Sequence, residues 1–141
     1  MIDIEPVVYT TIHDAIKAAF PDCTVSDTPP EAAAKFPFVS VQESGNRTYE
    51  KTLDNALTEH HAVVVYDINV YSDKQAGRKR ECKAILNVAD MAMQEMKFTR
   101  ILKGELPCVN RTIMRMHGRY EAVVEEPETD GEDVIFQTYR R

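Results

Sequence analysis

Two segments repeat apolar residues at every third or fourth position, which is the spacing of an amphipathic helix. The first covers residues 5–20, has Pro6 in its first turn and ends before Pro21. Its predicted apolar stripe consists of Val8, Ile12, Ile16, Ala19 and Phe20. The second covers residues 74–96, with Ser72 or Asp73 as the expected N-cap. Its predicted buried stripe consists of Cys82, Ile85, Val88, Ala89, Ala92 and Met96.

Strand patterns occupy most of the remaining chain. Residues 36–43 (FPFVSVQE) predict a strand in which Pro37 favours an edge position or a strand start. Residues 44–58 show no hydrophobic periodicity and predict a long loop, which is either flexible or ordered against a partner. Residues 59–72 alternate so regularly that they predict the clearest strand, with Ala62, Val64, Tyr66, Ile68 and Val70 on the core face. At a length of roughly 45 Å, part of this strand is expected to project or to pair with another chain.

The last third of the chain reads as antiparallel strands. Residues 98–103 predict a strand broken by Gly104 and Pro107, and residues 112–124 alternate between a core face and a mostly charged face. Residues 134–140 are expected to pair back as a final strand. No strand–helix–strand rhythm is present. We therefore predict one α+β domain over residues 1–141, an antiparallel or mixed sheet of about four to five strands with two helices packed on one face.

The net charge of −6 comes from one short segment. The chain has 17 Lys and Arg against 23 Asp and Glu, and without residues 125–133 the two signs balance. This segment is either a solvated hairpin loop, or a surface that repels DNA or docks a basic partner. Its acidic residues are Glu125, Glu126, Glu128, Asp130, Glu132 and Asp133.

Basic residues gather in two other places. Lys74, Arg78, Lys79, Arg80 and Lys83 lie at the predicted start of the second helix, where cations oppose the helix dipole. They form either a solvated face or a docking patch for an acidic neighbour. Arg115 and Arg119 lie on an exposed strand face, where arginines suit charge pairs across a subunit interface. An acidic pI of about 5.2 and the absence of Trp argue against sequence-specific nucleic-acid binding.

No motif for catalysis, cofactor binding or metal binding is present. The three cysteines are scattered without a CxxC pair, and no glycine-rich phosphate loop occurs. His117 lies among arginines and has no evident orienting carboxylate nearby in sequence. The N-terminus lacks a secretory pattern and no apolar run could cross a membrane, so we expect an intracellular chain without a membrane partner, catalytic residues, cofactor or metal.

The order of these segments resembles a known family over nearly the whole chain. An amphipathic helix precedes an FPFVSV strand and an irregular loop; an EHHAVVVYDINVYS strand then leads into a helix near SDKQAGRKR, and a strand pair follows. This layout resembles the tail terminator (tail completion) proteins of long-tailed bacteriophages and the related neck proteins that join head to tail. The resemblance rests on layout and contains no diagnostic motif.

The resemblance implies a structural virion protein without enzymatic activity. It implies a ring, typically of six copies, that caps the tail tube, ends tube polymerisation and joins the tail to the neck. Its expected partners are other copies of itself, the major tail tube protein and a neck protein, with DNA passing through transiently. It would be made in the host cytoplasm and located in the virion. Another head-closure or connector (adaptor) protein remains the nearest alternative, and a small enzyme with no recognisable site the distant one.

Overall fold

Two helices and five strands make up the part of the chain that the computed structural model describes, namely residues 4–30, 35–48, 61–107 and 112–125. Their order is α1 (Glu5–Ala19), β1 (Thr24–Ser26), β2 (Phe38–Thr48), β3 (His61–Ser72), α2 (Arg78–Glu95), β4 (Thr99–Leu106) and β5 (Met114–Glu125).

The five strands form one mixed sheet in the order β1-β2-β3-β5-β4. β1 and β2 are parallel, and every other neighbouring pair is antiparallel. β3 is the central strand and pairs with β2 on one side and β5 on the other along nearly its whole length. This arrangement confirms the predicted α+β fold.

Both helices pack on the same face of the sheet. Val8, Ile12 and Ile16 of α1 are fully buried in one cluster with Ile85 and Leu86 of α2. The same cluster contains the β3 residues predicted for the core face, Ala62, Val64, Tyr66, Ile68 and Val70, all with no exposed surface. The two helices also contact each other. The inner face of the sheet is therefore covered by one two-helix layer, as the alternation along β3 predicts.

β3 does not project from the sheet over its described side chains. Ala62, Val63 and Val64, near the first residue of the strand, have no exposed surface. Because the strand is central, it has hydrogen-bonding partners on both sides from Ala62 to Tyr71. The expectation of a projecting β3, or of its pairing with another chain, was wrong for residues 62–72.

Four boundaries differ from the predictions. β1 lies in a segment expected to be a loop, and β2 continues to Thr48, so only residues 49–58 of the expected loop remain, outside the described residues. α2 begins at Arg78 after Gly77, which has a φ of 80°, rather than after Ser72 or Asp73. β4 runs through Gly104 without a break. The predicted strand at 134–140 lies outside the described residues.

Candidate interaction surface

The start of α2 is positioned by a buried serine rather than by a side-chain cap. Ser72 donates a hydrogen bond from Oγ to Oε1 of Glu81 (2.7 Å) and accepts one from the backbone N–H of Lys74 (3.3 Å). The left-handed conformation of Gly77, readily available to glycine, then turns the chain into the helix. Lys74 consequently lies before α2 rather than in it, and is exposed.

The structure brings Arg78 and Arg115 together in one groove of about 460 Å³, although they are 37 positions apart in the chain. The groove lies where α2 begins, β4 ends and β5 begins. Its remaining lining is one acid and four apolar residues: Glu105, Leu106, Pro107, Ile113 and Met114. A groove lined by two arginines and four apolar residues can accept a segment that carries both carboxylates and apolar side chains.

The other basic residues of α2 do not line this groove. Lys79, Arg80 and Lys83 are exposed. Lys79 forms an ion pair with Glu105 (Nζ to Oε1, 2.9 Å), which connects α2 to β4. Both side chains are about half exposed, so solvent screens this pair and it adds little stability. The basic end of the molecule thus retains several solvated cations.

Arg115 is held in place by contacts on the outer face of the sheet. Its Nε donates to Oδ1 of Asn69 (3.0 Å), and its guanidinium lies 5.7 Å from the ring centre of Tyr71. Both partners belong to β3, so the arginine is ordered before any ligand arrives. A pre-ordered arginine loses less conformational entropy when it binds a carboxylate.

Asp67 supplies the orienting carboxylate that the sequence did not reveal for His117. Its Oδ1 accepts hydrogen bonds from Nε2 of His117 (2.6 Å) and Nε of Arg119 (2.9 Å). An ionised carboxylate can only accept, so Nε2 of His117 carries a proton. Burial raises the pKa of Asp67, but hydrogen bonds from Arg119, Ser44 and His117, together with the Arg119 charge, outweigh burial and leave that pKa lowered.

The Asp67–His117–Arg119 cluster is a structural element of the sheet. The His117 side chain is only 9% exposed, so a substrate has little access to it. Arg119 lies in the middle of β5, four residues from Arg115, and is committed to Asp67. Of the two arginines predicted on this strand, the groove therefore contains Arg115 and excludes Arg119. The sequence did not reveal this cluster because β3 and β5 are far apart in the chain, and their pairing register cannot be read from either strand alone.

The acidic segment starts at the opposite end of β5 from the groove. Glu125 is the last residue of that strand. The other predicted acidic residues, Glu126, Glu128, Asp130, Glu132 and Asp133, lie outside the described residues. A strand of 12 residues spans about 36 Å. The basic groove and the backbone of Glu125 therefore lie at opposite ends of β5.

Comparison with known proteins leaves the family open. No family model matches the chain, and no curated protein sequence matches it significantly. Neither α1 nor α2, the helices of the described residues, is long and apolar enough to cross a membrane. Within the same described ranges, no group of three or more His, Cys, Asp or Glu side chains could hold a metal ion.

Proposed function

We propose that this chain is a structural virion protein that forms a ring, of six copies in the family it resembles, at the end of a phage tail tube. The ring ends tube polymerisation and joins the tail to the neck. Its partners are neighbouring copies, the tail tube protein and a neck protein. The protein is made in the host cytoplasm, becomes part of the virion and catalyses no reaction.

The observation that carries this proposal is a groove with two arginines at one end of β5 in a chain whose acidic residues follow the other end of that strand in sequence. The groove with Arg78 and Arg115 lies at the start of that strand, and the acidic segment follows Glu125 at its other end. A closed ring requires heterologous contacts, in which one patch of a subunit meets a different patch of the next. Opposite charges on different segments of one chain favour such head-to-tail contacts and disfavour contact between like segments.

The chemistry of the groove supports the same contact. Arg115 of the groove is ordered by Asn69 and Tyr71. Four apolar residues also line the groove, namely Leu106, Pro107, Ile113 and Met114. Residues 125–133 carry six carboxylates and are followed by Val134 and Ile135. That combination of charge and apolar side chains complements the groove. The proposed contact joins the acidic segment of one subunit to the groove of its neighbour.

Charge reversal tests this contact. Arg78→Glu, Lys79→Glu and Arg80→Glu together should abolish rings that the unmodified protein forms, as seen by native mass spectrometry and negative-stain imaging. Reversal of Glu125, Glu126 and Glu128 to Lys in the same chain should restore them. A matched control reverses Lys35, Arg47 and Lys97, which are exposed and do not line the groove. Rings that persist in the first variant would refute the contact.

Imaging of virions separates the tail terminator from its nearest alternative. Antibody or gold labelling should place the subunit at the junction between the tail tube and the neck. A label at the portal side of the neck would instead identify a head-closure or connector protein. The gene of a terminator should also lie between the neck genes and the tail tube gene. Virions without the protein would refute both assignments.

A further inference from the structure

β4 forms one edge of the sheet of described strands. Within the described strands β4 pairs only with β5, and every residue from Arg100 to Leu106 is exposed. Ile101, Leu102 and Leu106 are 48%, 43% and 37% exposed. A long edge strand with apolar side chains is a template for adding a further strand.

The sequence of this edge is complementary to itself. After a bulge near Ile101, residues 102–106 (LKGEL) pair regularly with β5. Their order is leucine, cation, glycine, anion, leucine. Read in the opposite direction, the same segment differs only in that the cation and the anion exchange places. When two such strands run antiparallel with Gly104 opposite Gly104, each Lys103 faces Glu105 and each Leu102 faces Leu106 of the other strand.

The side chains point to the faces that this pairing requires. Leu102, Gly104 and Leu106 lie opposite Arg119, His117 and Arg115 and therefore share the outer face. Lys103 and Glu105 lie on the helix face, where they contact Asn87 and Lys79 of α2. Residues directly opposite in an antiparallel pair point to the same side. The register centred on Gly104 meets this condition for all five positions.

We propose that β4 is a two-fold docking surface for a second copy of this chain. The two β4 strands pair antiparallel about an axis through Gly104 and join two sheets of five strands into one of ten. Two ion pairs form on the helix face and two leucine pairs on the outer face. Opposite-charge and apolar cross-strand pairs stabilise such a ladder. The occupant is a second copy because the charge order of this strand complements itself.

This contact differs from the one proposed for the ring. It is isologous, meaning that the same patch contributes from both copies, whereas the ring contact joins unlike patches. It involves β4 from Leu102 to Leu106, of which Glu105 and Leu106 also line the groove, and it does not involve residues 125–133. The two proposals can therefore fail separately. The Gly104→Cys disulfide described below tests the β4 pairing at a residue outside the groove lining.

Complementary single variants test the pairing. Lys103→Glu places four carboxylates along the shared edge, and Glu105→Lys places four ammonium groups there. Each variant alone should weaken self-association on the order of tenfold or more in sedimentation equilibrium. An equimolar mixture of the two should associate as tightly as the unmodified protein, because each Glu then faces a Lys. Both side chains are exposed, so the fold should tolerate each change.

A cysteine at Gly104 reports the register directly. No atom lies within 4 Å of a Cβ built there, so Gly104→Cys fits the subunit. Directly opposite Cα atoms are about 4.5–5.5 Å apart, within the range of a disulfide. Oxidation should link two copies through this position, as mapped by mass spectrometry with Cys108 changed to Ser. The matched Leu102→Cys variant, which faces Leu106 of the second copy, should not link to itself.

Three outcomes would overturn the proposal. The first is a protein that stays monomeric at high micromolar concentration. The second is self-association without a disulfide at Gly104→Cys, which would mean that β4 meets another edge or a different protein. The third is a mixture of Lys103→Glu and Glu105→Lys chains that associates no better than either variant alone.

Discussion

Asp67→Asn tests whether the carboxylate on the outer face of the sheet stabilises the fold through its charge. The change keeps the size of the side chain and one acceptor oxygen, but removes the charge. Two donors depend on that oxygen, Nε2 of His117 at 2.6 Å and Nε of Arg119 at 2.9 Å. The side chains of Asp67 and His117 are 13% and 9% exposed, and that of Arg119 is 44% exposed.

The expected cost follows from these exposures. A buried hydrogen bond to a charged group contributes about 1.5–3 kcal/mol. The half-exposed Arg119 adds little to this, because solvent screens its charge. Asparagine retains part of the hydrogen bonding, so Asp67→Asn should cost about 1–2 kcal/mol near neutral pH. Asp67→Ala should cost about 1–3 kcal/mol more, because it leaves the buried His117 donor without its acceptor.

The pH dependence gives the sign of the electrostatic contribution. The pKa of Asp67 is lowered in the folded state, so its stabilisation is present above the ordinary pKa of an aspartate. It is lost as the pH falls through the lower folded value. The gap in unfolding free energy between the unmodified protein and Asp67→Asn should therefore shrink as the pH falls below about 4. Other carboxylates titrate in both proteins and cancel in this difference.

Urea titrations followed by circular dichroism, from neutral pH downward, measure this gap. Asp14→Asn is the matched control. Asp14 also contacts a histidine, His13, at 3.2 Å, but its side chain is 72% exposed. This variant should change stability by less than about 0.5 kcal/mol at any pH. A gap for Asp67→Asn that stays constant from neutral to acidic pH would refute the electrostatic reasoning.

Three further variants or reagents test other features of the fold. Gly77→Ala should lower the free energy of unfolding by about 1–2 kcal/mol, because Gly77 has a positive φ. Gly104→Ala should change it by less than about 0.5 kcal/mol. Thermal and urea unfolding measure both variants. Burial raises the pKa of Cys23 to about 11 and that of Cys82 to about 12. Iodoacetamide near pH 8 should therefore label both thiols only after denaturation. Labelling of the native protein would contradict their burial. The hydroxyl of Tyr120 donates a hydrogen bond to the nearly buried Asp90 of α2 at 2.7 Å. Tyr120→Phe should therefore lower the free energy of unfolding by about 1.5–3 kcal/mol, measured by urea unfolding. An unchanged midpoint of the urea transition would be evidence against that bond.

The spacing of apolar residues correctly predicted which face of each helix and of the long strands is buried. The alternation along β3 and β5 identified the core faces because one side of each strand meets the helices. The helix periods likewise identified Ile12, Ile16 and Ile85 as buried. The start of α2 was misplaced because Ser72 and Asp73 have the side chains of an N-cap. Ser72 instead contacts Glu81, and Gly77 begins the helix.

The candidate surfaces depend on register, which a single strand pattern does not contain. Asp67 and His117 are 50 positions apart and meet only because β5 lies next to β3. The groove unites Arg78 and Arg115 because α2 begins next to the start of β5, which the sequence pattern also does not show. β1 was missed because three residues are too short for a visible period, and its parallel pairing depends on β2. Gly104 was taken as a strand breaker, although an edge strand tolerates glycine.

The central place of β3 has a consequence for synthesis of the chain. One neighbour, β2, precedes it and is available as soon as β3 leaves the ribosome. The other, β5, is complete only roughly fifty residues later, a delay of about 3–10 s at ordinary translation rates. During that interval the valine-rich strand has one open side. Nascent chains should then be most prone to mispairing, and slower elongation across residues 73–113 should lower the yield of native protein.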